Sequence, residues 1–415
     1  MIATQESAEL VARAIALRPT LVERAPDTER RTFYSEETHR DFLEAGFYRM
    51  LVPRRYGGLE VDLTTFLRVV LEVAAGDLST AWCLCLASAH ALHLGTLFEE
   101  RAQAELFGDG DFRSPAVAAP AGRAVRTDDG WEISGTWAYC SGAPYATHYM
   151  GQTFEASAEP GGPPGQILLF VVPRSQWTML DDWGDTLGLQ GSGSHSIRME
   201  RARVPGHHVL ESRWLVDTDT TNAPGLRLHG NPLYAGRTLS VFQSELGALA
   251  IGGVKGALED YESLIRARKT QRPPIVERYL DPDYQRWFGS AIGRVAAAEA
   301  LLVAISKQWA ELCRRFAEEG RVFTREDDLE LNVVAREALN LAWTAMQEDL
   351  FRTAGTSAAR NGERMERIFR DVAMDWGHFG NIVRDWAWRE LARERLGLAQ
   401  GVGLKPDRPH VEVRS

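Results

Sequence analysis

Apolar positions along the chain change their period twice. From the N-terminus to about residue 110 they recur at three- and four-residue steps, which predicts helices. Leu10, Ile15 and Leu17 sit in a first helix, and Phe42, Leu43 and Phe47 in a second that runs into Gly46. After a turn at Pro53 to Gly58 comes a long apolar helix interrupted at Gly76-Asp77, where Asp77 or Ser79 can cap the continuation. From about 111 to 215 short alternating runs replace the helical period: WEISGTWAYC, THYMGQTF, QILLFVVP and SHSIRMERARV. Turn signals at Asp128-Asp129-Gly130 and Gly161 to Pro164 separate them, which predicts a small antiparallel β domain, a barrel. Residues 216 to 235 are irregular. The helical period then returns, with Leu246, Ala250, Val254, Leu258, Tyr261 and Ile265 on one stripe and Ile292, Val295, Leu302, Ile305, Trp309, Leu312 and Phe316 on another. Further helices are predicted near 326–354 and 364–396, the latter broken at Gly380-Asn381, giving a four-helix bundle whose broad stripes suggest burial between subunits. The division expected is a helical domain (1–110), a β domain (111–215), a helical bundle (216–400) and a tail (401–415).

Composition narrows the function. A chain of 415 residues with 44% hydrophobic content can bury a large core. Its net charge of −10 speaks against nucleic-acid binding, which needs a basic face. No uninterrupted run of 18 apolar residues exists, so no membrane span is expected. The acidic, amphipathic N-terminus lacks the pattern of a secretory signal, and four cysteines are too few for a disulfide scaffold, so a cytoplasmic location is expected. No zinc-type spacing links those cysteines to histidines, and no metal is expected.

Four stretches carry candidate chemistry: GDLSTAW (76–82), GWEISGTWAYCSG (130–142), LGLQGSGSHSIRMERARVP (187–205) and RIFRD (367–371). In this order and spacing they resemble the acyl-CoA dehydrogenase family over nearly the whole chain. The resemblance implies a mainly α fold with a central β domain. In that family a catalytic carboxylate follows nine residues after the C-terminal Arg. Here that position, counted from Arg370, is Phe379, with His378 just before it. Thioester desaturation needs a base for the α-proton, and Phe379 cannot serve. Trp137, Ser141-Gly142, the Gly191–Ser194 turn and His378 are instead similar to a branch of two-component (group D) flavin-dependent monooxygenases. That branch includes the 4-hydroxyphenylacetate hydroxylase oxygenase component and dibenzothiophene monooxygenase.

What this branch implies is specific. Reduced flavin, FMN or FAD, would come from a separate NAD(P)H-dependent reductase and react with O2 to a C4a-hydroperoxyflavin that hydroxylates a small phenolic or aromatic substrate. A homotetramer is implied. Flavin contacts fall on Trp137, Cys140, Ser141, Gly142, Gly191, Ser192, Gly193 and Ser194, with the glycines allowing close approach and main-chain N–H donors. A hydroxyl residue is usual at position 140, so Cys140 leaves Ser141 as the side-chain partner of flavin N5. His378 and His90 are the candidate proton carriers, since imidazole titrates near neutrality; whether His378 protonates the peroxide or deprotonates the substrate stays open. Trp376, Phe379 and Asn381 would line the substrate side. Two other readings compete. A di-iron oxygenase needs paired ExxH helices, and Glu36–His39 is the single ExxH here. A flavin dehydrogenase or oxidase would need a relocated base, for which Glu245 is the candidate. An N- or S-oxygenase of the same branch is a further possibility.

Overall fold

The computed structural model describes residues 5–108, 110–157, 159, 162–382 and 384–398; the tail expected at 401–415 lies outside them. Six helices open the chain: α1 (Gln5–Arg31), α2 (Glu36–Ala45), α3 (Leu63–Gly76), α4 (Leu78–Ser88), α5 (His90–Leu97) and α6 (Glu100–Phe107). Asp77 caps α4, its carboxylate accepting from the Thr80 N–H at 2.9 Å, so the interruption at Gly76-Asp77 is a change of helix direction. Nearly every residue of α3 and α4 is buried. Ile15 and Leu43 are 47% and 46% exposed and leave the stripes assigned to them; α1 buries Leu10, Ala14, Leu21 and Ala25 instead.

Eight strands follow: β1 (Ala116–Val117), β2 (Arg123–Thr127), β3 (Gly130–Trp137), β4 (His148–Phe154), β5 (Ile167–Pro173), β6 (Thr178–Met179), β7 (Ile197–Pro205) and β8 (Val209–Glu211). Rather than one ring of antiparallel strands they form two four-stranded sheets, ordered β1-β4-β5-β8 and β2-β3-β7-β6. The short β1 runs parallel to β4. Both sheets share one core, with Trp131, Ile133 and Ile197 from one meeting Tyr149, Leu168 and Phe170 from the other.

After a short α7 (Gly225–His229) come α8 (Leu239–Ala267), α9 (Pro282–Glu319), α10 (Arg325–Thr344, continued by a π-helical turn at Ala345–Phe351), α11 (Arg352–Ala354), α12 (Arg364–Trp376), α13 (Phe379–Ile382) and α14 (Arg384–Arg395). The central α8 packs against α3, α9, α10 and α12. Gly252 and Gly256 let it lie close on α3: a Cβ there would stand 2.3 Å from the Leu71 carbonyl and 2.5 Å from that of Ala75. The expected stripe on α8 is buried, Leu258 only partly; on α9, Ile292 is 45% exposed.

Two expectations change. The helix carrying the RIFRD stretch stops at Trp376, so the break falls at Gly377-His378 and not at Gly380-Asn381. The end is held by capping: the His378 N–H and Asn381 Nδ2 both donate to the Asp375 carbonyl, at 2.9 and 2.7 Å, an acceptor without a partner inside α12. And α9 is, among the described residues, a helix long and apolar enough to cross a membrane by length and composition. Only 28% of its apolar window is buried. Its uncovered face carries small residues, Gly289, Gly293, Ala296, Ala297, Ala300 and Ala304.

Candidate active site

The β domain, the N-terminal helices and the bundle meet around a cavity of about 520 Å³. Its walls are Trp82 and Leu86 from α4, His90 from α5, Trp137 and Ser141 around the end of β3, Leu189, Ser192 and Ser194 from the loop before β7, the start of α8, Asn332 and Arg336 from α10, and the turn after α12.

The two serine turns meet in a single hydrogen-bonded chain. Ser192 Oγ lies 2.7 Å from Ser194 Oγ, which lies 2.8 Å from Ser141 Oγ, and Trp82 Nε1 donates to Ser141 Oγ at 3.0 Å. Three hydroxyl hydrogens with two bonds among them leave one hydrogen over, on one of the three serines. That hydrogen is a donor on an otherwise apolar wall, the pairing a polar ring edge requires. By contrast, the main-chain N–H groups of Cys140, Ser141, Ser192 and Gly193 bond to His195, Tyr139, Leu189 and Thr32 carbonyls. These four donors are therefore engaged within the protein.

Cys140 turns its side chain into the β core, where Sγ donates to the Trp137 carbonyl at 3.1 Å and burial pushes the thiol well up. Gly142, Gly191 and Gly193 stand outside the cavity wall. At Gly142, with φ +90°, a Cβ would come within 2.9 Å of Ala87 Cβ and the Cys83 carbonyl; at Gly191 it would meet Thr28 Cγ2 at 2.6 Å. Gly142 and Gly191 thus seat their turns closely on α4 and α1, while Gly193, with φ +58°, lies against Pro144 and Phe33. Trp137 does line the cavity, its indole N–H fixed on the Gln152 carbonyl at 2.9 Å.

His378 stands in the break after α12, its ring edge-on to Trp82 with centroids 5.4 Å apart. The Gly380 N–H donates to His378 Nδ1 at 3.1 Å. Nδ1 is thus the acceptor, and this assigns the proton to Nε2. His378 lines the cavity and is an exposed residue, but the protein packed around its ring lowers its pKa to about 4. His90 has the opposite arrangement: Nδ1 lies 2.7 Å from the Ser114 carbonyl, to which it must donate, leaving Nε2 as acceptor. Burial lowers its pKa to about 4 as well. The cavity thus has one imidazole donor and one imidazole acceptor, both neutral at pH 7.

Phe379 lines the cavity and is 53% exposed. Trp376 does not reach it; its ring stacks on Trp343 at 5.7 Å. Asn381 is also off the wall and holds the His378 turn, with Gln243 Nε2 donating to its Oδ1 at 3.5 Å. Arg336 holds the same turn by donating to the Gly380 carbonyl. The wall residues Trp82, Trp183, Phe242, Gln243, Asn332 and Arg336 had no signal as site residues in the sequence beyond Trp82's place in GDLSTAW. Among the described residues, Glu105, His207 and His208 form one group able to hold a metal ion; none of them lines the cavity.

Comparison with known proteins agrees with this geometry. Residues 4–101 match the acyl-CoA dehydrogenase N-terminal domain and 245–381 the acyl-CoA dehydrogenase C-terminal domain. The chain is similar to the oxygenase subunit of a flavin-dependent monooxygenase from Rhodococcus jostii (strain RHA1), 28% identical over 373 residues, which span 88% of this chain and 93% of the relative. It is also similar to the oxygenase component of an FADH2-dependent resorcinol hydroxylase from Rhizobium sp. (strain MTP-10005), 26% identical over 353 residues, spanning 81% and 84%. The crystal structure of a 3-HSA hydroxylase from Rhodococcus sp. RHA1 superposes with a TM-score of 0.84 at 26% identity, covering 96% of this chain and 99% of that one.

Proposed function

Since this chain belongs to the acyl-CoA dehydrogenase family, in its branch of two-component flavin-dependent monooxygenases, we propose that it is the oxygenase component that hydroxylates a small phenolic or aromatic compound with reduced flavin and O2. The observation that carries this reading is the shared cavity: the Ser192–Ser194–Ser141–Trp82 chain on one wall, His378 beside it, and no carboxylate at position 379. Reduced flavin, FMN or FAD, when bound would take up O2 at C4a and supply one oxygen atom to the substrate. Trp137 and the three serines would hold its ring edge through the spare hydroxyl hydrogen. Trp82, Leu86 and Leu189 would keep water from the reacting atoms. His378 would donate a hydrogen bond from Nε2–H to a reacting oxygen, and His90 Nε2 would accept one from the substrate; with Nδ1 of His378 already engaged by the Gly380 N–H, Nε2–H is the side it presents.

The test is stopped-flow mixing of O2 with protein loaded with reduced FMN or FAD. A transient absorbance of the C4a-oxygen adduct that decays faster with a phenol, with one oxygen atom recovered in the product, is expected. Protein that purifies with tight oxidised FAD and reduces it with an acyl thioester would replace this reading by a dehydrogenase using Glu245 as base. A separate NAD(P)H-dependent flavin reductase is proposed as partner, because the relatives are named as oxygenase components. The proposed domain limits remain 1–110, 111–215 and 216–400, and the proposed location is the cytoplasm.

The exposed small-residue face of α9 supports the proposed homotetramer, since small residues let two helices approach closely and most of this apolar window has no cover within one chain. Ala297→Arg is expected to lower the native mass by at least half in light scattering at micromolar protein. An unchanged mass would remove α9 from the interface.

A further inference from the structure

Three side chains away from the cavity converge where the N-terminal helices meet the β domain. Glu105 stands on the last turn of α6, and His207 and His208 form the turn between β7 and β8. His207 Nε2 lies 2.7 Å and His208 Nε2 3.0 Å from the same carboxylate oxygen, Glu105 Oε2. One ligand atom from each residue lies within 4.8 Å of the other two. The local structure aims them. β7 pairs with β3 in one sheet and β8 with β5 in the other, so the turn is held at both ends. The two rings stand edge to face, with centroids 4.5 Å apart and planes at 71°, so consecutive imidazoles present Nε2 to one point. Arg101, one turn earlier on α6, donates from Nε to the other oxygen, Oε1, at 3.1 Å and leaves Oε2 turned to the histidines. Cover is graded: the side chains of His208, His207 and Glu105 are 8%, 22% and 43% exposed. The group is thus seated in protein on one side and open to solvent on the other.

Two imidazole nitrogens and a carboxylate oxygen are the donor set of borderline divalent cations such as zinc. Bonds of about 2.0–2.2 Å set tetrahedral ligand edges near about 3.4 Å, so the carboxylate must draw back from both rings by roughly half an ångström. Glu105, the most exposed of the three, can do so by side-chain rotation. Two costs oppose binding. Arg101 brings a positive charge to the same carboxylate. Each ring proton must move from Nε2 to Nδ1, which in His208 is buried without a partner. Both costs place the affinity in the micromolar range. We propose that Glu105, His207 and His208 bind one divalent cation of the zinc class, with water completing its coordination on the open side, and that the ion ties α6 to the turn joining the two sheets. None of the three residues lines the cavity, so the site is independent of the oxygenase reading. The sequence shows only the adjacent pair His207-His208, because the third ligand stands 102 residues from His207.

The test uses the full chain without a purification tag, stripped with a chelator and titrated with Zn2+ alone against a chromophoric competitor. One equivalent is expected to bind with a Kd of about 10 µM or tighter. His207→Ala and Glu105→Gln are each expected to weaken it at least about tenfold, a loss already reached when outer-shell partners of a metal are removed. Zn2+ at about a hundredfold excess over Kd is expected to raise the unfolding midpoint by about 3 °C in wild type and not in the variants. Co2+ on wild-type protein is expected to give the intense visible absorption of a four-coordinate ion, a readout that needs no variant to fold. Less than one equivalent bound at that affinity, full affinity in either variant, an unmoved midpoint in wild type, or a Co2+ spectrum like that of the hydrated ion overturns the proposal.

Discussion

His378→Ala is expected to lower the rate of substrate hydroxylation by about 10² or more, in line with the loss of a positioned hydrogen-bond donor to a reacting oxygen, while the protein stays folded. The ring fills space at the cavity edge, and its contacts are the edge-on approach to Trp82 and the bond from the Gly380 N–H. Removing it leaves no buried charge. The expected signature is uncoupling: reduced flavin still reacts with O2, but hydrogen peroxide leaves in place of hydroxylated product. His378→Gln, which keeps an N–H donor near the Nε2 position, is expected to recover part of the rate. Because desolvation lowers the His378 pKa to about 4, the ring is neutral throughout pH 5–9. Protonation of the ring belongs near pH 4, where Nε2–H is kept and the bond from the Gly380 N–H to Nδ1 is lost, so no acid limb near pH 6.5 is expected on its account. Product and peroxide quantified against O2 consumed check all three outcomes. Coupled turnover by His378→Ala at the wild-type rate would remove His378 from the mechanism.

Why His378 was visible in the sequence and the polar groups of α8 and α10 were not follows from the kind of signal each gives. His378 stands one residue from a position that the RIFRD stretch numbers, so counting along one helix was enough. The serine turns were visible for the same reason, as short Gly-Ser clusters between β-rich runs. Their joining into one chain was not, because Ser141 and Ser194 are 53 residues apart and meet only when β3 and β7 pair. Gly142 and Gly191 also give close approach to α4 and α1, a packing role that depends on which side of the turn is covered. Cys140 and Ser141 follow β3 into a turn in which the first side chain enters the β core and the second the cavity; residue type alone could not say which. The helix break was misplaced because Gly380-Asn381 is a stop signal by composition, whereas Asn381 folds back to cap α12 from three residues beyond the true break. Gln243, Glu245, Asn332 and Arg336 come from α8 and α10, whose stripes predict which residues enter the core but not which part of the core is open space.

Asp371→Ala is expected to destabilise the fold by about 3–5 kcal/mol, since two hydrogen bonds to a buried carboxylate are lost and their donors stay buried, each at about 1–3 kcal/mol. Asp371 is 2% exposed. Its Oδ1 accepts from the Leu189 N–H at 2.6 Å and its Oδ2 from Ser79 Oγ at 3.2 Å, so one side chain on α12 ties the loop before β7 to the start of α4. Arg370 reinforces the junction by pairing with Glu29 of α1 at 2.6 Å and donating to the Leu187 carbonyl at 3.1 Å. The RIFRD stretch is therefore the clamp that holds the cavity's three walls together. Leu189 lies on the wall three residues before Ser192, so loosening it is also expected to weaken reduced-flavin binding at temperatures well below the unfolding midpoint. Asp371→Asn keeps an acceptor for Leu189 and is expected to lose less than half as much. The pH dependence distinguishes the pair. Burial, then the nearby Asp77, raise the Asp371 pKa to about 7, so between the ordinary carboxylate value and pH 7 the folded protein holds a proton that the unfolded chain has released. This contribution favours the folded state on the acid side and is lost as pH rises through 7. Wild-type protein is expected to lose stability from pH 6 to pH 8 relative to Asp371→Asn, whose amide does not titrate. Urea melts of the two at both pH values measure the difference; parallel pH profiles would show that Asp371 is ionised in the folded protein and that its bond to Leu189 is a full charge-assisted one.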